Sequence, residues 1–202
     1  ATRWEIDNDL ESVCDGAIAK LGWPIFVKPA NAGSSVGITK ANDRDQLKDA
    51  IKLALENDRK VVFEAFVDGQ EVECAVIGSD PAVSTRPGEI LAGAEFYTYD
   101  DKYKNGVSQT VIPAHLPEEK LDEVKTYAAM AYTALNCEGL ARCDFFVERG
   151  TGKVLINEIN TLPGFTSISM YPKLMEHEGI PVPALIDQLI SLAFERKDRY
   201  HG

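Results

Sequence analysis

The apolar positions of this chain switch repeatedly between helical and strand spacing, which predicts short strands, hairpins and separate helices. Apolar residues at helical spacing predict helices over residues 8–21, 43–57, 117–135, 171–178 and 182–194. Short apolar runs bounded by turn residues predict strands over residues 24–27, 61–67, 71–78, 90–94, 108–114, 140–147 and 153–159. Because strands in hairpins alternate with isolated helices, we expect an α+β fold with mainly antiparallel sheets. A break near Glu64 divides a small subdomain, residues 1–64, from a larger one, residues 65–202.

Composition narrows the class of protein. Apolar residues make up 45% and charged residues 26% of the chain, as in ordinary globular proteins, and the net charge is −11. The negative charge argues against non-specific nucleic-acid binding and against a polybasic membrane contact. No apolar run reaches the roughly 18 residues of a membrane span, and no signal-peptide pattern is visible. The four cysteines form no CxxC pair, so we expect a reduced, cytoplasmic protein. The sequence starts at Ala1 and not at a methionine, which suggests a fragment.

Three oxygen-bearing side chains lie on the two strands of the predicted hairpin at residues 140–159. Asp144 follows Arg142 on the first strand, and Glu158 and Asn160 alternate on the second. Residues two apart in a strand share a face, so each strand presents its polar pair on one side. Carboxylate and amide oxygens suit Mg²⁺, which usually works with nucleotide phosphates, and an arginine beside them suits charge stabilisation. The alternative is that Asp144 and Glu158 are ordinary surface carboxylates.

The metal hypothesis requires a particular strand register. For Asp144 to lie opposite Glu158 in a regular ladder, Arg149 must lie opposite Lys153, which leaves a three-residue loop at Gly150, Thr151 and Gly152. Three-residue hairpin loops with glycine in the left-handed region are common. A register shifted by one residue would place the two carboxylates on opposite faces of the hairpin.

A second group of candidate residues lies near the start of the chain. Lys28 ends an apolar strand, and the glycine- and serine-rich loop at residues 30–37 follows it, with Ser34 and Ser35 between Gly33 and Gly37. Backbone N–H groups and hydroxyls in such a loop can surround phosphates. The loop has no GxxxxGK[ST] pattern and, taken alone, fits a plain surface turn better. Together with the acidic hairpin, it indicates an ATP-dependent enzyme.

These residues resemble the D-alanine–D-alanine ligases, which are ATP-grasp enzymes of bacterial cell-wall (peptidoglycan) synthesis. The resemblance covers nearly the whole chain and runs through five motifs in order: residues 27–37, Glu64 with Glu71, residues 96–103, Arg142-Cys143-Asp144 and residues 157–167. It implies an ATP-grasp fold in which two subdomains grip ATP between them, with residues 95–106 as a lid. It also implies ATP-dependent joining of two D-alanines through an acyl phosphate, and with it a part in maintaining cell shape.

The resemblance also implies a role for individual residues. Two Mg²⁺ ions, or Mn²⁺ in their place, would bind Asp144, Glu158 and Asn160. ATP would contact the side chains of Lys28, Ser35, Lys102 and Asn157, the adenine-binding residues Glu64, Ala65 and Val67, and the ribose-binding Glu71. Arg142 and the backbone N–H of Gly164 would stabilise the oxyanion. Ser34 and Tyr103 would position the first D-alanine, and Ser169 with the backbone of Met170 would hold the second.

The chain departs from this family at its beginning. Nothing in residues 1–22 matches the N-terminal domain that family members carry, whether that domain belongs to the same chain or to another. We therefore expect weak Mg-ATP binding, poor ligation by this chain alone, and a homodimer at full length. The alternatives are a D-alanine–D-serine ligase, another ATP-grasp carboxylate–amine ligase, and a non-catalytic nucleotide-binding fragment.

Overall fold

The computed structural model describes residues 1–33, 36–91 and 109–201, and these residues form two compact units. The first unit is Ala1–Val67, and the second comprises Asp68–Leu91 together with residues 109–201. The first unit extends three residues beyond Glu64, because Ala65 still pairs with Ile25 at the end of a strand. The backbone N–H of Phe66 also donates to the carbonyl of Pro24, 3.4 Å away, which keeps this residue with the first unit.

The first unit is a small antiparallel sheet covered by helices. Its strands lie in the order β2–β1–β3, with β1 at Ile25–Pro29, β2 at Thr39–Ala41 and β3 at Val61–Ala65. The helices are α1 at Arg3–Asn8, α2 at Leu10–Leu21 and α3 at Arg44–Asn57. The apolar face of α3 predicted from its spacing is buried, and it packs with β1 residues Ile25 and Val27 in one core.

Side chains cap the helices of the first unit. The Asp43 carboxylate accepts a hydrogen bond from the Gln46 backbone N–H at 2.9 Å and so caps the start of α3. The Gln46 side chain also returns toward the helix start, because its Oε1 accepts from the backbone N–H of Asn42 at 2.9 Å. Helix α1 lies ahead of the first predicted helix, and Thr2 and Glu5 form a complete capping box at its start.

The second unit is built on a larger antiparallel sheet. Its strands are β4 at Gly69–Gly78, β5 at Ala82–Ser84, β6 at Gly88–Leu91, β7 at Gln109–Val111, β8 at Gly139–Glu148 and β9 at Val154–Asn160. They run in the order β7–β6–β4–β8–β9, and β5 also pairs with β4. The helices are α4 at Glu118–Ala134, α5 at Met170–His177 and α6 at Val182–His201. These elements confirm the α+β class, and no helix of the described residues has the length and apolarity to cross a membrane.

The two faces of the β4–β8 pair have different surroundings. One face carries Val72, Cys74, Cys143 and Phe145 against α4. Burial raises the pKa of the Cys143 thiol to about 12 and that of the Cys74 thiol well above its usual value, so both remain protonated. On the other face, Ala75 and Ile77 pack under α5 and α6, and the polar residues Glu71, Glu73, Arg142 and Asp144 lie farther along the strands.

The β8–β9 hairpin reaches the predicted pairing by a different route. Asp144 lies opposite Glu158 and Arg142 opposite Asn160, as expected. Nearer the turn, however, Val147 pairs with Val154, and the backbone carbonyl of Glu148 accepts a hydrogen bond from the Gly152 N–H. The loop is therefore one residue longer than predicted. A bulge between Asp144 and Phe145 absorbs the difference, because Phe145 pairs with Ile156 and Asn157 is left over. The three-residue loop was wrong, but the shared face of Asp144 and Glu158 is confirmed.

Replacing Tyr132 with phenylalanine tests the packing of α4 on the sheet. The Tyr132 side chain is fully buried, and its hydroxyl donates to the carbonyl of Gly78 at the end of β4, 2.8 Å away. The Tyr132→Phe variant leaves that partly buried carbonyl without this donor, so the free energy of unfolding should fall by about 1–2 kcal/mol in urea titrations. Tyr127→Phe, on the exposed side of the same helix, is the control and should change stability by less than about 0.5 kcal/mol. Equal effects of the two variants would contradict the packing described.

Candidate functional site

Strand pairing in the second unit lines up three carboxylates across neighbouring strands. Glu73 on β4 lies opposite Asp144 on β8, and Asp144 lies opposite Glu158 on β9. The next row toward α5 contains Ala75, Arg142 and Asn160. Residues directly opposite in antiparallel strands have Cβ atoms about 4.5–5.5 Å apart, so these polar side chains are neighbours.

Arg142 is the positive centre of this group. Its Nε and Nη2 donate to Oδ1 and Oδ2 of Asp144, each at 2.7 Å, in a bidentate pair. The same Nε lies 3.1 Å from Oε2 of Glu73. Burial lowers the pKa of the guanidinium, but the hydrogen bonds and negative charges of its carboxylate neighbours outweigh burial and raise it. Arg142 therefore stays charged.

Glu73 is a member of the group that the sequence analysis missed. Glu73 is only 3% exposed, and Asp144 is only 2% exposed. Among the described residues, two buried carboxylates thus lie beside the guanidinium of Arg142, and the more exposed Glu158 is a third carboxylate in the group. The alternation of Glu71 and Glu73 on a strand was the available signal, because it places both on one face.

The group has the donor atoms that a hard divalent cation prefers. Asn160 Nδ2 donates to Asp144 Oδ2 at 3.0 Å and to Glu158 Oε1 at 3.2 Å, so the three predicted metal ligands meet at one point. A half-turn of the amide would present its oxygen in place of its nitrogen. The excess of negative charge fits Mg²⁺, which binds through a few carboxylate oxygens and keeps several waters. Within the described ranges, no three His, Cys, Asp or Glu side chains form a metal cluster; the candidate set is two carboxylates and an amide.

Two further predicted residues flank this group on the same sheet. Glu71 lies opposite Phe146, two ladder pairs beyond Glu73 and toward the hairpin turn. Asn157 is the extra residue of the bulge. A bulge interrupts the regular alternation of side chains along a strand, so strand alternation does not assign Asn157 to either face of the sheet.

In the first unit, the two charged residues predicted to contact ATP form an ion pair. Lys28 Nζ lies 2.6 Å from Glu64 Oε1, and the side chains are 17% and 37% exposed. They lie on adjacent strands, since Lys28 pairs with Val62 and Phe26 with Glu64. Ala65 ends β3, and the half-buried Val67 ends the unit.

The segment between β9 and α5 contains Gly164, Ser169 and Met170. The Ser169 hydroxyl accepts from the Thr166 backbone N–H at 3.0 Å, which closes a tight loop. A Cβ atom on Gly164 would come within 2.8 Å of Ser169 Oγ, so this loop favours glycine there. Met170 is the first residue of α5, and its side chain is buried in the core.

Four predicted site residues lie outside the described residues. They are Ser34, Ser35, Lys102 and Tyr103, and the predicted lid at residues 95–106 lies outside them as well. The described part of the site is therefore the group on β4, β8 and β9, the Lys28–Glu64 pair and the loop before α5.

Comparison with known proteins places this arrangement in a family. Residues 2–191 match the family described as D-ala D-ala ligase C-terminus. The chain is 55% identical over 195 residues to a D-alanine–D-alanine ligase of Acetivibrio thermocellus, covering 96% of this chain and 52% of that protein. It is 52% identical over 191 residues to one of Solibacter usitatus, covering 95% and 58%. The chain thus spans about half the length of these relatives.

Solved structures agree with the sequence relatives. The D-alanine-D-alanine ligase from Coxiella burnetii superposes with a TM-score of 0.81 at 36% identity, covering 94% of this chain and 49% of that one. The VanG D-Ala:D-Ser ligase from Enterococcus faecalis gives a TM-score of 0.83 at 38% identity, covering 95% and 55%. The fold is that of the ATP-grasp ligases, and the chain belongs to the D-Ala–D-Ala ligase C-terminal family.

Proposed function

We propose that this chain is the ATP- and Mg²⁺-binding part of an enzyme that joins two D-alanines into D-alanyl-D-alanine. The observation that carries the proposal is the meeting of Asp144, Glu158 and Asn160 beside Arg142 on one face of the sheet. A metal site next to a fixed guanidinium suits transfer of a phosphoryl group followed by attack on an acyl carbon. Membership in the ligase family supports the choice of reaction.

The three oxygen-bearing side chains would hold Mg²⁺, as two ions, with Mn²⁺ as a substitute. Asp144 and Glu158 would supply carboxylate oxygens, and Asn160 its amide oxygen after the half-turn described above. When bound, Mg²⁺ neutralises charge on the phosphate oxygens of ATP during transfer. The protein's part is to fix the positions of these oxygens, which the β8–β9 pairing does.

The nucleotide-binding residues divide between the phosphates, the base and the sugar. Lys28 and Lys102 would contact the phosphates of ATP, and Ser35 and Asn157 would also bind the nucleotide. Glu64 would accept the adenine amino group, with the backbone of Ala65 and Val67 beside it. Glu71 would bind the ribose hydroxyls. Lys28 and Glu64 form an ion pair with each other. Binding of ATP would replace that pair with a contact from Lys28 to the phosphates and a contact from Glu64 to the adenine.

The remaining residues would serve the amino-acid substrates. A D-alanine carboxylate attacks the γ-phosphorus of ATP, giving an acyl phosphate and ADP. The amine of the second D-alanine then attacks the acyl carbon, and phosphate leaves. Arg142 and the Gly164 backbone N–H would stabilise the oxyanion of that second step. Ser34 and Tyr103 would position the first D-alanine, and Ser169 with the Met170 backbone would bind the carboxylate of the second.

An acyl phosphate hydrolyses in water, and the proposed lid at residues 95–106 would protect it from hydrolysis. Covering the site excludes water while the second substrate attacks.

Residues 1–64 and 65–202 would act as the two ATP-binding subdomains. The partners would be D-alanine, the N-terminal domain on the same or another chain, and a second subunit at full length. The product would serve peptidoglycan synthesis and so cell shape, in the cytoplasm, with no nucleic-acid or membrane partner.

The second candidate is a D-alanine–D-serine ligase. A protein with that title superposes on this chain with a TM-score of 0.83, as well as the D-alanine ligase structures do. The residues that would contact the second substrate, Ser169 and Met170, are compatible with either amino acid. A non-catalytic nucleotide-binding fragment is the third reading, and Mg-dependent ATP binding without ADP release by the full-length protein would favour it.

Removing the charge of Glu158 tests the metal site. Glu158 is exposed, so Glu158→Gln should fold normally while lowering the affinity for Mn²⁺ in the presence of ATP about tenfold or more, or about 1.4 kcal/mol. Mn²⁺ titration followed by electron paramagnetic resonance measures this affinity. Glu148→Gln, nearer the hairpin turn on β8, is the matched control and should bind Mn²⁺ like the wild type. Unchanged binding by Glu158→Gln would remove Glu158 from the metal site.

Removing the charge of Lys28 tests the nucleotide site. Lys28→Met should weaken ATP binding about tenfold at fixed Mg²⁺, because a phosphate loses a charge-assisted contact. Isothermal titration calorimetry gives the dissociation constant. Lys52→Met, on the exposed face of α3, removes the same charge elsewhere in this unit and should leave ATP binding unchanged. Similar losses for both variants would show a general charge effect and no specific contact.

The choice of substrate is tested on the full-length protein. ADP release should require D-alanine, and the product with D-alanine alone should be D-alanyl-D-alanine by mass spectrometry. This chain alone should ligate at a small fraction of that rate, and adding the N-terminal domain should restore turnover. A preference for D-serine as the second substrate would select the second candidate, and release of ADP only with other amino acids would reject both.

A further inference from the structure

Arg142 and a divalent cation would compete for the same carboxylate. Both oxygens of Asp144 accept hydrogen bonds from Arg142, and Oδ2 also accepts one from Asn160. Mg²⁺ bound to Asp144 would place its charge beside a guanidinium that is held only 2.7 Å from both carboxylate oxygens. Repulsion between the two cations in this partly buried place favours movement of Arg142 away from Asp144.

Glu73 offers Arg142 a second carboxylate within reach. Its Oε2 lies 3.1 Å from Arg142 Nε, so a small rotation of the guanidinium exchanges one partner for the other. Glu73 is 3% exposed on β4, a strand that pairs with β6 on one side and β8 on the other. A carboxylate so placed has little freedom to move and lies within reach of Arg142.

We propose that Glu73 is a positioning residue that receives Arg142 when Mg²⁺ binds Asp144. The exchange keeps the guanidinium in the site, compensated by one carboxylate, while the other becomes available to the metal. It reconciles the two roles proposed above, in which Asp144 is a metal ligand and Arg142 an oxyanion partner. The inference rests on the proposed metal site, and it adds a residue to which the sequence assigned no role.

The proposal makes a specific claim about coupling between residues. If Glu73 acts through Arg142, its removal should weaken metal binding only while Arg142 is present to compete. If Glu73 instead binds the metal or attracts it through space, its removal should weaken binding whether or not Arg142 is there. A double-mutant cycle separates these two mechanisms.

The experiment measures Mn²⁺ affinity of the 202-residue chain with ATP for the wild type, Glu73→Gln, Arg142→Met and the double variant. Glu73→Gln should weaken binding about tenfold in the presence of Arg142 and less than about twofold in the Arg142→Met background. Glu73→Asp should restore most of the affinity. Equal losses in both backgrounds, or no loss in the first, would overturn the proposal. If the double variant fails to fold, Arg142→Gln, which removes the charge but keeps a hydrogen-bond donor, provides the second background.

Two further measurements separate this role from a structural one. Glu89→Gln removes another buried carboxylate of the same unit and should lower the melting temperature without changing Mn²⁺ affinity. The ¹⁵Nε resonance of Arg142 should shift when Mg²⁺ and ATP are added to the wild type, and should shift much less in Glu73→Gln. A resonance that stays in place in the wild type would overturn the exchange. Absence of Mn²⁺ binding by the wild type would instead overturn the metal site, and this proposal with it.

Discussion

Pairing of β4 with β8 forces two nearly fully buried carboxylates, Glu73 and Asp144, to share one guanidinium. Burial of an ionised carboxylate is costly unless a cation or several hydrogen bonds compensate it. Among the described residues, Arg142 lies beside two carboxylates, with Glu158 nearby. The backbone register therefore gathers more carboxylates than cations in this part of the described sheet, and the chemistry proposed for this face depends on them.

In the first unit, strand pairing also holds two oppositely charged side chains together. Lys28 and Glu64 neutralise each other across adjacent strands, although each is proposed to contact a different end of ATP. In both units, side chains of opposite sign that are proposed to bind different groups are held together by strand pairing. Their mutual attraction keeps them in place and compensates burial, and it also sets the energy that a ligand must exceed before it can separate them.

Much of the fold and of the site could be predicted from the sequence, because hydrophobic spacing and motif order are local signals. The face shared by Asp144 and Glu158 followed from strand alternation, and the start of α3 followed from Asp43. Glu73 was missed because its importance depends on which residue lies opposite it, and that pairing joins positions 71 residues apart. The bulge at Asn157 was missed because no turn residue marks it, and the loop length alone suggested a regular ladder.

The bulge separates the geometry of the turn from the geometry of the site. A four-residue turn with one extra strand residue gives the same pairing of Asp144 with Glu158 as a three-residue turn with none. Insertions and deletions at the tip of this hairpin can therefore be balanced a few residues away, without moving any of the proposed metal ligands. Hairpin length and bulge are thus free to vary together during evolution, and aligning such sequences by the turn alone would misplace the carboxylate by one position.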